Sequence, residues 1–204
     1  MTLPTKLVAF EGGEASGKST QAAMLAARLG AVLTHEPGGT DVGRRIRALV
    51  LDPGSGPLDP RAEALLLVAD RAQHVAEVVA PALAAGRHVV TDRFSGSTLA
   101  YQGYGRGLDP AELSRLSSWA SGGLEPDVVV LLDLEASVAV ARHAGRDLDR
   151  LEAEGDGFHS RVREGYRSLA ATDPRRWVVV DGRGPVDDVA AQAWSAVSAR
   201  LGMD

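Results

Sequence analysis

Eight consecutive residues near the start of this chain constrain its fold more than any other feature. Gly12-Gly13-Glu14-Ala15-Ser16-Gly17-Lys18-Ser19 fits the pattern G-x-x-x-x-G-K-S in full. The flanks fit as well. Leu7–Glu11 is a short apolar run, and from Lys18 to Leu29 apolar side chains recur at helical spacing, so the segment reads strand, glycine-rich loop, helix. Glycines there let successive backbone N–H groups curl around phosphate oxygens, while a helix N-terminus favours their negative charge. Residues Gly12, Gly13, Glu14, Ala15, Ser16, Gly17, Lys18 and Ser19 are therefore expected to bind ATP. Lys18 would reach the β- and γ-phosphates, and Ser19 would hold Mg²⁺.

The rest of the chain alternates strand and helix patterns. Val32–His35 reads as a second strand, followed by the turn cluster Pro37-Gly38-Gly39 and a helical period through Val42, Ile46, Leu49 and Val50. A long helix starts at Pro60, with Leu65, Leu66, Val68, Ala69, Val75, Val78 and Val79 on a wide apolar stripe. Pro81 is expected to bend or end it, and Gly86 to close the segment. Residues 87–92, 128–133 and 177–181 are unalternating apolar runs ending in Asp, as strands buried on both faces read. The expected architecture is α/β, a three-layer fold of the P-loop NTPase type. Its five-stranded parallel sheet has helices on both faces, and ligands gather at the carboxyl ends of the strands. One domain is expected over residues 1–204. The polar stretch 142–157, rich in Arg, Asp, Glu and Gly, reads as a short lid or a solvated connection.

Composition removes several classes of function. The chain has no cysteine, which excludes disulfides, thiolate zinc sites and cysteine nucleophiles. With a net charge of −5, a small phosphorylated substrate fits better than a nucleic-acid backbone. No apolar run approaches membrane-spanning length and the N-terminus lacks a secretory pattern, so a cytoplasmic location is expected. Among P-loop proteins, guanine-specific GTPases read their base with Asn/Thr-Lys-x-Asp, and this chain has no Asn. Ser121-Gly122-Gly123 lacks the flanking residues of a transporter-ATPase signature and reads as a turn.

Asp92-Arg93-Phe94 ends the third core strand, at the edge where ligands collect. Arg93 there can grip an acceptor phosphate with two parallel hydrogen bonds, and Asp92 can position Mg²⁺ or its waters. On residue type alone, the pair also fits an ion pair that closes a strand. Likewise, Arg71 and His74 lie three apart on one helical face, which suits a half-solvated stripe as well as a site.

Read together, the motifs resemble those of bacterial thymidylate kinases over almost the whole chain. They are Phe10-Glu11-Gly12, His35-Glu36-Pro37-Gly38-Gly39-Thr40, Ala69-Asp70-Arg71-Ala72-Gln73-His74, Asp92-Arg93-Phe94, residues 97–103 and Asp149-Arg150-Leu151-Glu152, in order and spacing. The resemblance implies transfer of the γ-phosphate of ATP to dTMP in dTTP biosynthesis, with Mg²⁺, by a homodimer packed through helices. It implies Glu14 at the acceptor sugar, Arg71 at the thymine edge and Arg93 on the acceptor phosphate. Ser97, Thr98 and Gln102 would line the base pocket, Pro37 would join the dTMP site, and Tyr101 would pack under the sugar where a 2′-hydroxyl would clash.

Two departures stand out: the family's usual stacking Phe is Leu67 here, and the Arg common before Glu36-Pro37 is His35. Some members carry an Arg within the P-loop, whereas others have a small residue there and supply Arg from the lid. The position here is Ala15, so the resemblance implies a lid donor, with Arg146 the first choice and Arg142 and Arg150 as alternates. Leu67 keeps open a kinase for another nucleoside monophosphate or small metabolite. A P-loop binding module without an acceptor site is a third reading, against which Asp92-Arg93 and the Tyr101 segment speak.

Overall fold

The computed structural model describes residues 5–135, 138–139, 142 and 147–203. Five strands, β1 (Leu7–Glu11), β2 (Val32–His35), β3 (Val89–Asp92), β4 (Val128–Asp133) and β5 (Trp177–Asp181), form one parallel sheet in the order β2-β3-β1-β4-β5. The chain leaves β1 for one edge and later crosses to β4 on its other side, so a crevice opens beyond the carboxyl end of β1.

Helices α1 (Lys18–Leu29) and α8 (Val186–Leu201) cover one face. There Val8, Phe10, Val90, Val130 and Leu132 meet Ala22, Leu25, Val189 and Val197. On the other face Leu7, Ala9 and Val89 pack with Val75, Val79 and Phe94, and Leu131 packs with Tyr101, Phe158, Val162 and Tyr166. Burial on both faces explains why β1 and β4 read as unbroken apolar runs. The third run differs. Strand β5 lies at an edge, and Val179 is 56% exposed, so its apolar sequence does not report burial on both faces. The run 87–92 pairs only from Val89 onwards.

The remaining helices are α2 (Asp41–Leu51), α3 (Pro60–His74), α4 (Ala80–Ala84), α5 (Ser95–Thr98), α6 (Pro110–Ala120) and α7 (Asp156–Thr172), and side-chain caps start α2, α3 and α6. The Thr40 hydroxyl accepts from Gly43 N, and Asp59 and Asp109 cap α3 and α6 immediately before a proline in the first turn. Pro81 does not end the long helix. A π-helical turn over Val75–Val79 precedes it and the helix resumes as α4, with Pro81 in its first turn, where a missing N–H is tolerated. A second π-helical stretch, Leu99–Gly105, follows α5. The expected lid is shorter at its end, because Asp156 and Gly157 already belong to α7.

Candidate active site

The loop between β1 and α1 passes over the end of β4. A Cβ on Gly12, whose φ is +146°, would lie 2.6 Å from the Leu132 carbonyl oxygen, so only glycine fits. Ala15 (φ +54°) and Gly17 (φ +91°) are also left-handed. Gly17 caps α1 with no side-chain hydrogen bond, which leaves the first N–H groups of the helix to a ligand. Lys18 Nζ bends back to Gly13 O at 2.6 Å, and burial, then the Arg93 charge, lowers its pKa to about 8. Ser19 Oγ donates to Asp92 Oδ2 at 2.5 Å, while buried Asp92 Oδ1 has no partner among the described residues. A hydroxyl beside an under-used carboxylate suits a hard divalent cation. Among the described residues no group of three His, Asp or Glu could hold a metal unaided. Such a cation would take its other ligands from phosphate and water.

Arg93 stands between this loop and a neighbouring cleft. Its φ is +72°, a conformation costing about 1–3 kcal/mol for a residue with a Cβ. Hydrogen bonds hold it there: Arg93 N donates to Phe10 O at 2.9 Å, and Thr91 Oγ1 to Arg93 O at 2.9 Å. The guanidinium reaches Glu14 Oε1 (2.5 Å), Ser97 Oγ (3.1 Å), Tyr166 OH (3.3 Å) and Tyr101 OH (3.4 Å). Beneath it lies buried Glu11, which accepts from Phe94 N, Ser97 N, Ser97 Oγ and Tyr166 OH. Burial pushes the Glu11 carboxyl up in pKa. Glu11 thereby fixes the turn that aims Arg93.

At the other end of the cleft Arg71 is 2% exposed and held by three side chains. It donates to Glu36 Oε2 at 2.9 Å, Ser117 Oγ at 3.1 Å and Thr98 Oγ1 at 3.0 Å. Glu36 in turn meets His74 Nδ1 at 2.8 Å, and His74 Nε2 lies 2.6 Å from Thr34 Oγ1. Removing one member of such a buried pair typically costs about 3–5 kcal/mol. The Glu36-Pro37 peptide is cis, and a Cβ on Gly39 would lie 2.7 Å from the His74 ring, so the loop packs directly on this network. Asp70, 1% exposed, accepts from Gly38 N at 2.9 Å through Oδ1, while Oδ2 has no partner among the described residues. Burial, then the Glu36 charge, raises its pKa to about 6.

Glu14, Pro37, Leu67, Arg71, Arg93, Ser97, Thr98, Tyr101 and Gln102 all line this one cleft. Tyr101 OH donates to Glu14 Oε1 at 2.6 Å, which links the cleft to the loop between β1 and α1. One placement differs from expectation. Ser97 lines the cleft at its Arg93 end, bound to Glu11 and Tyr166, and not beside Arg71 with Thr98.

The lid arginines separate clearly. Arg142 donates to Ala15 O (3.0 Å) and Gly182 O (2.9 Å), so it touches the phosphate loop and the turn after β5. Arg150 is committed elsewhere, to Val50 O and to the buried Glu63 carboxylate. Arg146 lies outside the described residues. Glu11, Glu63, Asp70, His74 and Tyr166 have no site role in the sequence reading, although Glu11, Asp70 and His74 fall inside its motifs. Glu63 and Tyr166 lie in ordinary helical patterns with no local signal.

A glycine-rich loop leading into a helix N-terminus, and an arginine-bearing cleft that shares Glu14 with it, lie beyond the carboxyl ends of the central strands and are the halves a phosphotransferase needs. The fold that carries them is that of the P-loop NTPases. A family model described as thymidylate kinase matches residues 10–193, and the chain belongs to that family. It is similar to the thymidylate kinase of Desulfovibrio desulfuricans, 49% identical over 207 residues and covering 95% of both chains. With the thymidylate kinase of Cutibacterium acnes it is 52% identical over 181 residues, 86% of this chain and 88% of the relative. The crystal structure of thymidylate kinase from Ehrlichia chaffeensis resembles it with a TM-score of 0.79 at 28% identity, covering 95% of this chain and 98% of that one.

Proposed function

We propose that this protein transfers the γ-phosphate of ATP to dTMP, giving dTDP and ADP, in dTTP biosynthesis. The observation that carries the reading is the gathering of nine acceptor-type residues, from separate elements, into one cleft beside the phosphate loop. Arg93 binds the acceptor phosphate by exchanging its hydroxyl partners for phosphate oxygens. Glu14 and Tyr101 meet the sugar, with Tyr101 excluding a 2′-hydroxyl. Arg71, Thr98, Gln102 and Leu67 meet the base, with Pro37 beside them. An oxygen of the acceptor phosphate attacks the γ-phosphorus, the bond to the β–γ bridging oxygen breaks, and ADP leaves.

Catalysis is positioning plus charge. Lys18 meets the β- and γ-oxygens, and the loop residues from Gly12 to Ser19 hold the triphosphate. A lid arginine, Arg146 or Arg142, supplies the charge that Ala15 cannot. Ser19 and Asp92 are the residues that would hold Mg²⁺, which neutralises phosphate charge. The proposal extends to one domain over residues 1–204 with a lid near 142–157, acting in the cytoplasm as a homodimer. Exposed Val42, Leu49 and Leu65 on α2 and α3 support helix-to-helix packing of two copies. No described helix is long and apolar enough to cross a membrane, and the partners are nucleotides, not nucleic acid.

The test is ADP release over a panel of nucleoside monophosphates. The expected outcome is the highest kcat/KM with dTMP, well above its ribonucleotide analogue. A different preferred acceptor would overturn the reading.

A further inference from the structure

Glu63 on α3 does not line the cleft, yet it is fully buried and receives hydrogen bonds from three side chains. Gln102 Nε2 donates to its Oε1 at 2.9 Å. Arg106 donates to both oxygens, at 3.2 and 3.1 Å, and Arg150 to Oε2. Burial alone would raise the Glu63 pKa, but the hydrogen bonds from Arg106, Gln102 and Arg150 outweigh it and hold the carboxyl below its ordinary value. Glu63 is therefore an ionised carboxylate, and such a group only accepts.

That fact decides how the Gln102 amide faces. Its NH₂ must meet Glu63, because the reversed amide would set a carbonyl oxygen against a carboxylate oxygen. The carbonyl Oε1 is then the end left over. It is buried and has no hydrogen-bond partner among the described residues, in a side chain that lines the cleft with Arg71, Thr98 and Leu67. A buried acceptor without a partner is unfavourable, and a donor on a ligand would satisfy it.

We propose that Glu63 is a positioning residue for base recognition, which fixes Gln102 with Oε1 presented to the cleft as the acceptor for a pyrimidine ring N–H. Thymine and uracil carry a proton on N3 and satisfy it. Cytosine has a bare N3 and would set one lone pair against another, so the pinned amide selects against it. The inference rests on the reading of the cleft as the dTMP site.

The test compares kcat/KM for dTMP and dCMP in the wild type, Glu63→Gln and Arg150→Ala. Glu63→Gln keeps the size but can present either a carbonyl or an NH₂, so the Gln102 amide is free to turn. The expected result is a fall of about tenfold or more in the dTMP-to-dCMP preference, carried mainly by KM, as for a lost hydrogen bond that discriminates between substrates. Arg150→Ala removes a partner of Oε2 only and keeps Arg106, the stronger of the two in holding Glu63 ionised, so a carboxylate remains in place to hold Gln102. The variant is expected to melt at a lower temperature with the preference within about threefold of wild type. An unchanged preference in Glu63→Gln would overturn the inference, as would an equal loss in Arg150→Ala, which marks general loosening. If Glu63→Gln does not fold, Glu63→Asp carries the test, because the shorter carboxylate draws back from Gln102: a tenfold loss supports the inference and a retained preference overturns it. A wild type that does not prefer dTMP would overturn the function itself, whereas a dTMP-preferring wild type with an unaltered Glu63→Gln overturns this inference alone.

Discussion

The phosphate loop takes its function from eight consecutive residues, mostly through their backbone, whereas the acceptor cleft is assembled from side chains on several separate elements. In the loop the requirements are local: left-handed turns at Gly12, Ala15 and Gly17, a free helix N-terminus, and one lysine. In the cleft they are collective, since Arg71 depends on Glu36, Glu36 meets His74, and His74 meets Thr34. A local device can lose its chemistry without losing its shape. A collective one should lose shape and chemistry together.

The largest expected effect tests the first half of that contrast. Lys18→Ala should lower kcat by roughly 10³-fold, because Lys18 neutralises charge that grows in the transition state. Melting should barely change. A variant keeping more than about a tenth of wild-type kcat, a loss of only about 1.4 kcal/mol, would remove the loop from the chemistry.

Next in size is the lid. At least one of Arg142→Ala and Arg146→Ala should lower kcat by roughly 10²-fold with little change in the KM for dTMP. Steady-state kinetics on both variants decide which one. Near-normal kcat in both would mean that the Arg-free loop draws its charge from outside the lid.

Asp70 sharpens the second half of the contrast. Its folded pKa of about 6 lies above the ordinary carboxyl value, so between about pH 4 and 6 the folded protein holds a proton that the unfolded chain has lost. Stability from this group therefore falls as pH rises through that window. At pH 7.5 its buried charge costs roughly 1–3 kcal/mol. Asp70→Asn should be more stable than wild type by about that amount at pH 7.5, and the gap should shrink by roughly half at pH 5. Denaturant unfolding at the two pH values measures it. A gap that does not narrow on acidification would mean that Asp70 is not the titrating group.

The smallest effect concerns Leu67, which is half-buried and lines the cleft near Arg71. Leu67→Phe should tighten dTMP by roughly 1 kcal/mol through base stacking. Overpacking, at about 1–3 kcal/mol, opposes it if the cleft has closed around the leucine. Weaker binding by calorimetry would show that the base is held by another geometry.

The same contrast explains what the sequence disclosed. The loop, β1, α1 and β4 were legible because their signals are contiguous: a fixed motif, an apolar run, a helical period. Edges were not. The runs in β4 and β5 look alike, and only sheet order leaves Val179 exposed. Pro81 read as a bend or an end because a π turn, which here precedes a helix with the proline in its first turn, has no pattern of its own. In the cleft, motif matches supplied the residues that line it, but not those behind them. Glu63 and Tyr166 act through partners 39 and 155 positions away, distances over which spacing carries no information.

If loop and cleft are separate devices meeting at Arg93 and Glu14, losing the first should leave the second intact. The direct measurement is calorimetric titration of dTMP into Lys18→Ala. The predicted result is a Kd within about threefold of wild type, a difference under about 0.7 kcal/mol, in a protein with almost no turnover. Loss of dTMP binding along with turnover would contradict the division and show that the acceptor cleft depends on the loop lysine for its shape.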